Sequence, residues 1–266
     1  MVCSTAAHIL LHLPQLRRLD LSFKPEDLAE NSHVDPCYDA RVEYDSEFAP
    51  LLTSAISQLP QLRYFRCCRA LLEMNENTSP FSAALPETLQ ELLLAHAPVC
   101  SRALGADLAH MTQLKTLNLM FDSPGIPLQV VQQFSSLQKL RMLSIFNTWG
   151  ALDLEAEETE EMLSVLPDSV EEMYLPSCEF AAEACMPLSS LTALTTLMIG
   201  SMEDTLTDDI ALSLAKHLPK LTALQTLSFG FWGTHVGPAA KSALQENALK
   251  NIARVEYGLC LDLGYP

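Results

Sequence analysis

The sequence predicts an α/β fold, a solenoid in which parallel strands form one face and helices form the other. Nine short segments share one pattern, with apolar residues at positions i, i+3 and i+5. The last two of these residues point to the same side of an extended strand, as the buried side of a sheet requires. Segments with apolar residues at helical spacing lie between them, for example 207–218 (TDDIALSLAKHL). Strands that alternate with helices indicate a parallel sheet with helical crossovers.

We call the three apolar residues of each segment its anchors. Successive first anchors are 46 residues apart in the first interval and 24 to 30 residues apart in the other seven. A nearly fixed period of this length predicts one strand and one helix in each repeat. The anchors are Leu16-Leu19-Leu21, Leu62-Phe65-Cys67, Leu89-Leu92-Leu94, Leu114-Leu117-Leu119, Leu140-Leu143-Ile145, Val170-Met173-Leu175, Leu194-Leu197-Ile199, Leu224-Leu227-Phe229 and Ile252-Val255-Tyr257.

A Leu-Pro pair precedes several of the predicted strands. Proline disfavours the helical conformation of the residue before it, so we expect the preceding helix to end at the leucine. The pairs begin at Leu13, Leu59, Leu85, Leu166 and Leu218.

This pattern resembles the leucine-rich repeat family over essentially the whole chain, from about His8 to Tyr257. The segments 210–214, 224–229 and 234–244 look most similar to the ribonuclease-inhibitor-like subfamily. The resemblance implies a horseshoe of about nine repeats, with the parallel sheet on its concave face and helices on its convex face. It also implies a single domain over residues 1–266. The family's Asn or Cys three residues after the last anchor is present only as Cys178.

Two acidic segments stand out against the period. Residues 26–47 form an insertion with eight acidic side chains, which we interpret either as a solvated loop or as a partner-specific loop. Residues 155–161 (EAEETEE) occupy the position of a convex helix and predict a charged outer face.

The chain begins almost at once inside a repeat and ends a few residues after one. Solenoids usually carry polar caps that cover the exposed core at both ends. We therefore expect either poorly capped termini or membership of a larger complex or a longer protein.

The net charge of −17 argues against non-specific binding to nucleic acid or to an anionic membrane. No uncharged run is long enough to cross a bilayer. The eight cysteines form no C-x-x-C pair, which favours reduced thiols in the cytoplasm or nucleus.

The sequence contains none of the common motifs for phosphate loops, dinucleotide binding, hydrolase elbows or zinc proteases. His8 with His12, and His33 with Cys37, have metal-compatible spacing, but no second ligand pair accompanies either. We therefore predict a protein that is not an enzyme and has no cofactor or metal.

Candidate binding residues lie on the strand face that points away from the anchors. The middle of this face is unusually apolar, which is typical of protein interfaces unless neighbouring loops cover it. The apolar residues are Leu93, Met120, Met142, Phe146, Tyr174 and Met198.

Basic residues are concentrated on and beside the first strands. Arg17, Arg63, Lys115 and Arg141 each follow a first anchor, and Arg18 and Arg66 lie on the strand face. We interpret them as a docking strip for an acidic or phosphorylated segment, with the alternative that they only keep the rim of the sheet soluble. The predicted partner-binding residues are Arg18, Arg63, Tyr64, Arg66, Lys115, Met120, Arg141, Met142, Phe146, Tyr174 and Met198.

The expected function is that of a protein-interaction scaffold whose concave face binds a protein partner. Family resemblance implies two alternatives, regulation of a GTPase as by Ran GTPase-activating proteins, and inhibition of a basic enzyme as by ribonuclease inhibitors. A ubiquitin-ligase receptor has less support, because nothing like an F-box precedes the repeats.

Overall fold

The structure is a computed structural model, and it describes residues 9–21, 48–68, 84–97, 102–121, 126, 128–147, 154–176, 178–200, 205–230 and 233–257. Within these residues, nine strands form one open, all-parallel sheet in the order in which they occur along the chain. The strands are β1 (Arg18–Leu21), β2 (Tyr64–Cys68), β3 (Glu91–Ala97), β4 (Thr116–Phe121), β5 (Met142–Asn147), β6 (Glu172–Leu175), β7 (Thr196–Ile199), β9 (Thr226–Phe229) and β11 (Arg254–Tyr257). The short strands β8 (Thr205–Thr207) and β10 (Gly233–His235) pair with each other in a second parallel sheet.

The register of the large sheet aligns the second anchors of all nine strands. Each second anchor is the Cα partner of the second anchor on the neighbouring strand. The predicted parallel sheet and the alignment of its nine strands are therefore confirmed. The aligned residues are Leu19, Phe65, Leu92, Leu117, Leu143, Met173, Leu197, Leu227 and Val255.

Helices form a second layer beside the sheet, and consecutive α-helices from α2 to α7 contact one another. Short 3₁₀ helices at Gln133–Ser136, Leu218–Lys220 and Leu249–Asn251 and a π-helix at Leu244–Ala248 extend this layer. Among the described helices, none combines the length and apolar character that crossing a bilayer requires. The α-helices are α1 (Phe48–Ser57), α2 (Arg102–His110), α3 (Leu128–Gln132), α4 (Ala156–Val165), α5 (Cys185–Leu188), α6 (Asp208–His217) and α7 (Pro238–Ala243).

One continuous apolar core lies between the sheet and the helices. The second and third anchors of β2 to β7 and of β9 are buried in it, as Leu117 and Leu119 of β4 show, and Leu21 and Val255 pack against it partly buried. Helix residues such as Val130 and Leu163 belong to the same cluster. Each fully buried side chain of this size contributes roughly 1.5–3 kcal/mol. The anchors therefore hold the helices against one face of the sheet.

The same tight turn precedes all nine strands of the large sheet. In each turn the backbone N–H of the first anchor donates to the carbonyl oxygen three residues earlier, for example Leu62 to Leu59 at 3.1 Å and Leu140 to Leu137 at 2.8 Å. The turn brings every strand into the sheet at the same point of the pattern.

A hydrogen-bond ladder then joins the strands at their beginnings. The carbonyl oxygen of Arg17 accepts from two consecutive N–H groups of the next strand, Arg63 at 2.9 Å and Tyr64 at 3.1 Å. Six further carbonyls repeat this double acceptance. We call these seven pairs of hydrogen bonds the carbonyl ladder. Its acceptors are the carbonyl oxygens of Arg17, Arg63, Gln90, Lys115, Arg141, Glu171 and Thr195.

At two Leu-Pro pairs the preceding α-helix ends at the leucine, as predicted, but the leucine leaves the helical conformation at only one of them. Leu166 ends α4 in an extended conformation, with φ −63° and ψ 140°. Leu218 after α6 stays helical, with φ −56° and ψ −33°. Pro219 lies in the first turn of the following 3₁₀ helix, where a backbone N–H would have no acceptor within the helix, so its absence costs no hydrogen bond.

Local capping explains where two predicted helices begin. The acidic segment 155–161 contributes the start of α4, where Glu155 and Glu158 form a capping box. The Thr207 hydroxyl accepts from the Ile210 N–H at 3.4 Å at the start of α6. Acidic side chains in the first turn of each helix interact favourably with its positive end. The acidic insertion 26–47 and the residues His8, His33 and Cys37 lie outside the described residues.

Two glycines contact each other where β7 and β9 end. Gly200 has φ 96°, a conformation that favours glycine. A Cβ on Gly230 would lie 2.4 Å from the Gly200 carbonyl oxygen, which is too close for any side chain.

We expect Gly230→Ala to lower the free energy of unfolding by about 2 kcal/mol, because a backbone carbonyl must move to admit the methyl group. Gly237→Ala is the matched control, since its Cβ would meet only the flexible Asp208 carboxylate, at 3.2 Å. Urea denaturation measures both losses. An equal loss in the two variants would contradict the contact.

His217 gives the fold a dependence on pH. Its side chain is buried at the end of α6, and its Nδ1 has no hydrogen-bond partner among the residues that the structure describes. Burial, aided by the positive charges of Lys220 and Lys216, lowers the pKa of His217 below its ordinary value of 6.5. The His217 imidazole therefore binds a proton more tightly in the unfolded chain than in the folded protein.

As a result, we expect the free energy of unfolding to fall as the pH drops below about 6.5, because protonation favours the unfolded chain. His217→Gln should reduce this slope in urea denaturation at a series of pH values. The exposed His110 supplies the control, since His110→Gln removes an imidazole that is not buried. A wild-type slope in His217→Gln would refute this origin of the pH dependence.

Candidate interaction face of the parallel sheet

The face of the large sheet opposite the anchors presents its side chains in aligned rows. We call it the open face. Its first row contains Arg18, Tyr64, Glu91, Thr116, Met142, Glu172, Thr196, Thr226 and Arg254. Its second row contains Asp20, Arg66, Leu93, Asn118, Ser144, Tyr174, Met198 and Ser228.

At the β1 end of the open face, the predicted docking residues contact each other. The Arg18 guanidinium carbon lies 3.6 Å from the centre of the Tyr64 ring, a cation–π contact. Arg66 Nη1 lies 4.0 Å from Asp20 Oδ2, and the Arg66 side chain is only 16% exposed. Both pairs join cross-strand neighbours in register. Arg18 and Arg66 therefore stabilise the pairing of β1 with β2 within the protein itself.

Three residues expected to be exposed are buried. The exposed fractions are 9% for Tyr64, 5% for Met120 and 8% for Met198. Met120 is the register neighbour of Phe146, and the two form an apolar cluster separate from the main core. The alternative that part of the apolar strip is covered therefore applies at Met120 and Met198, and Met120 is covered in part by Phe146. Phe146, Met142 and Tyr174 remain partly exposed.

Tyr174 is held in position by a carboxylate on its own strand. Its hydroxyl donates to Glu172 Oε2 at 3.0 Å. Burial, together with the nearby charge of Glu172, raises the pKa of Tyr174 to about 12. The hydroxyl therefore stays protonated and oriented at neutral pH. Sequence reasoning missed this partner, although two residues at i and i+2 of a strand always share a face.

A row of exposed cations lies where the strands begin. We call Arg17, Arg63, Lys115 and Arg141 the basic row. Each immediately precedes a strand, and the carbonyl ladder places their backbones at the same level on β1, β2, β4 and β5. Gln90 occupies the equivalent position on β3.

The basic row is less neutralised than the cations of the open face. Arg141 Nη1 lies 3.1 Å from Glu171 Oε1, but its side chain remains 62% exposed. Arg63 and Lys115 are exposed and have no ion-pair partner within the part of the chain that the structure describes. Positive charge free to meet a partner is therefore found at the strand beginnings rather than across the open face.

Among the described residues, no group of three or more His, Cys, Asp or Glu side chains is placed to hold a metal ion. Cys67, Cys178 and Cys185 are buried free thiols. Burial raises the pKa of Cys185 to about 11, so it stays in the unreactive thiol form at neutral pH.

No family model matches the sequence, and no curated protein matches it significantly. The open face and the basic row are therefore the features from which a function has to be inferred.

The two kinds of arginine should respond differently to truncation. We expect Arg66→Ala to lower the free energy of unfolding by about 1 kcal/mol or more, because it removes a largely buried side chain that contacts Asp20. Arg63→Ala should change stability by less than about 0.5 kcal/mol, as is usual for an exposed side chain. Urea denaturation of the two variants makes the comparison. Equal losses would show that Arg63 is also structural.

Proposed function

We propose that the protein is a leucine-rich repeat horseshoe that acts as a non-enzymatic scaffold and binds a protein partner across its open face. The observation that carries this proposal is the aligned sheet. Nine adjacent strands present their outward side chains in continuous rows, while the described helices pack on the other side. Such a face has the extent and the regularity of a docking surface.

The size of the face supports this function. Neighbouring strands lie about 4.8 Å apart, so nine strands span roughly 40 Å. A standard interface buries about 800 Å² on each partner, which a surface of this width accommodates.

The partly exposed aromatic residues supply the centre of the interface. Phe146 is supported by buried Met120, and Tyr174 is oriented by Glu172. Aromatic residues that are ordered before binding lose little conformational entropy in the complex, and such residues often dominate affinity. Phe146, Met142 and Tyr174 therefore contribute most of the binding energy in this proposal.

The basic row adds long-range attraction to the proposed interface. The chain as a whole carries a charge of −17 and repels an acidic partner at long range, whereas the basic row attracts it locally. Charges at an interface rim mainly raise the association rate and select the orientation of the partner. An acidic segment of a cytoplasmic or nuclear protein fits this chemistry, whereas nucleic acid and membrane do not.

The double variant Phe146→Ala/Tyr174→Ala tests the proposal. A partner is first isolated with the wild-type protein and identified by mass spectrometry, and its affinity is then measured with purified proteins. We expect the double variant to bind at least about thirtyfold more weakly, because two central aromatic anchors are lost.

Met186→Ala/Leu212→Ala is the matched control, since it truncates two exposed apolar side chains on helices α5 and α6. The control should bind as the wild type does. Unchanged binding by the Phe146/Tyr174 variant would exclude the open face as the interface. If the partner is a GTPase whose hydrolysis the protein accelerates, the regulatory alternative replaces a passive scaffold.

A further inference from the structure

We propose that the basic row binds an acidic α-helix of the partner, which lies across the beginnings of strands β1 to β5 with one carboxylate facing each of the four cations. This inference rests on the proposed function and specifies the class of segment that the scaffold recognises.

The charge of the strand beginnings changes sign along the sheet. From β1 to β5 the residues before the strands are Arg17, Arg63, Gln90, Lys115 and Arg141. On β6 the same position holds Glu171. Because the carbonyl ladder fixes all these backbones at one level, the cations form a continuous line rather than a scattered set. A ligand for this line must carry several negative charges in a row.

From β2 to β5, the backbone N–H groups at these positions are already used within the sheet and are not available to a compact anion. The N–H groups of Arg63 and Tyr64 both donate to the carbonyl oxygen of Arg17. The same pair of hydrogen bonds to one carbonyl recurs at each later strand up to β9. Phosphate sites usually combine convergent backbone N–H groups with a cation. Here only separate side chains are available, one per strand. Dispersed carboxylates therefore suit the row better than a single phosphate group.

The spacing of the row favours a helix over an extended segment. Strands lie about 4.8 Å apart, and a helix presents one residue per turn on a given face every ~5.4 Å. Over the four intervals from β1 to β5 the mismatch grows to only about 2.4 Å. An extended chain repeats a face every ~6.8 Å and would drift by about 8 Å over the same distance. Flexible Arg, Lys and Glu side chains absorb the first mismatch but not the second.

Glu171 marks the end of the binding row. It repels a carboxylate that extends past β5, and it already contacts Arg141 at 3.1 Å. The bound helix should therefore present about four acidic turns and then a neutral or basic residue at β6. Glu171 also weakens the row by partly neutralising Arg141.

A synthetic helix tests the proposal directly. The probe is a blocked alanine-based peptide of about 16 residues, held helical by a covalent staple, with one glutamate per turn on a single face. Three comparison peptides carry the same charge. In the first the glutamates are spread around the helix, in the second proline prevents the helix, and in the third phosphoserine supplies the charge in an extended chain. Binding is measured by fluorescence anisotropy at low and high salt.

We expect the one-faced helix to bind at least about tenfold more tightly than each comparison peptide, and to weaken as salt increases. Arg63→Glu/Lys115→Glu/Arg141→Glu should abolish binding. The triple variant Lys216→Glu/Lys241→Glu/Lys250→Glu carries the same change in net charge on exposed lysines elsewhere and should retain it. Equal binding of all four peptides, or preference for the phosphoserine peptide, would overturn the proposal.

Glu171→Arg provides a gain of function that misfolding cannot imitate. It removes a repulsive charge, frees Arg141 and adds a cation on β6, so the one-faced helix should bind about twofold to fivefold more tightly. Unchanged or weaker binding would contradict the boundary. If the peptide fails to bind while Phe146→Ala/Tyr174→Ala still abolishes binding of the natural partner, the scaffold function stands and the acidic helix is excluded.

Discussion

The structure depends on one repeated interaction, in which each carbonyl oxygen of the ladder accepts two hydrogen bonds from the next strand. A carbonyl oxygen has two lone pairs, and Arg17 and its counterparts use both for consecutive N–H groups of the next strand. This bond fixes where each strand starts relative to the one before it. The register of the anchors, the continuity of the core and the alignment of the basic row all follow from that single constraint.

The side chains of the core could be predicted because they obey a periodicity that physics enforces. A strand that buries one face must place apolar residues two apart, so Leu117 with Leu119 marks the buried face. Helix positions followed from the intervals between strands. The exact ends did not, as Leu218 shows, because a 3₁₀ turn accommodates proline without leaving the helical conformation.

The state of the open face could be predicted only in part. Alternation reveals which side chains point away from the core, and it correctly placed Arg18, Tyr64 and Phe146 on that side. It does not reveal what their neighbours on adjacent strands do. Arg18 stacks on Tyr64, and Met120 packs against Phe146, because strands far apart in sequence bring them together. The burial of these residues therefore depends on the side chain of the neighbouring strand and not only on the position of each residue in its own strand.

The order of the strands along the sheet has a mechanical consequence. In the large sheet, each strand pairs only with the strand of that sheet that comes before it and the one that comes after it in the chain. Cohesion therefore passes from neighbour to neighbour, and an end strand can detach without breaking distant contacts. A partner that spans several strands joins elements that otherwise have no direct contact. Binding of a partner across the sheet would thus change unfolding from a stepwise loss of end strands to a single cooperative transition.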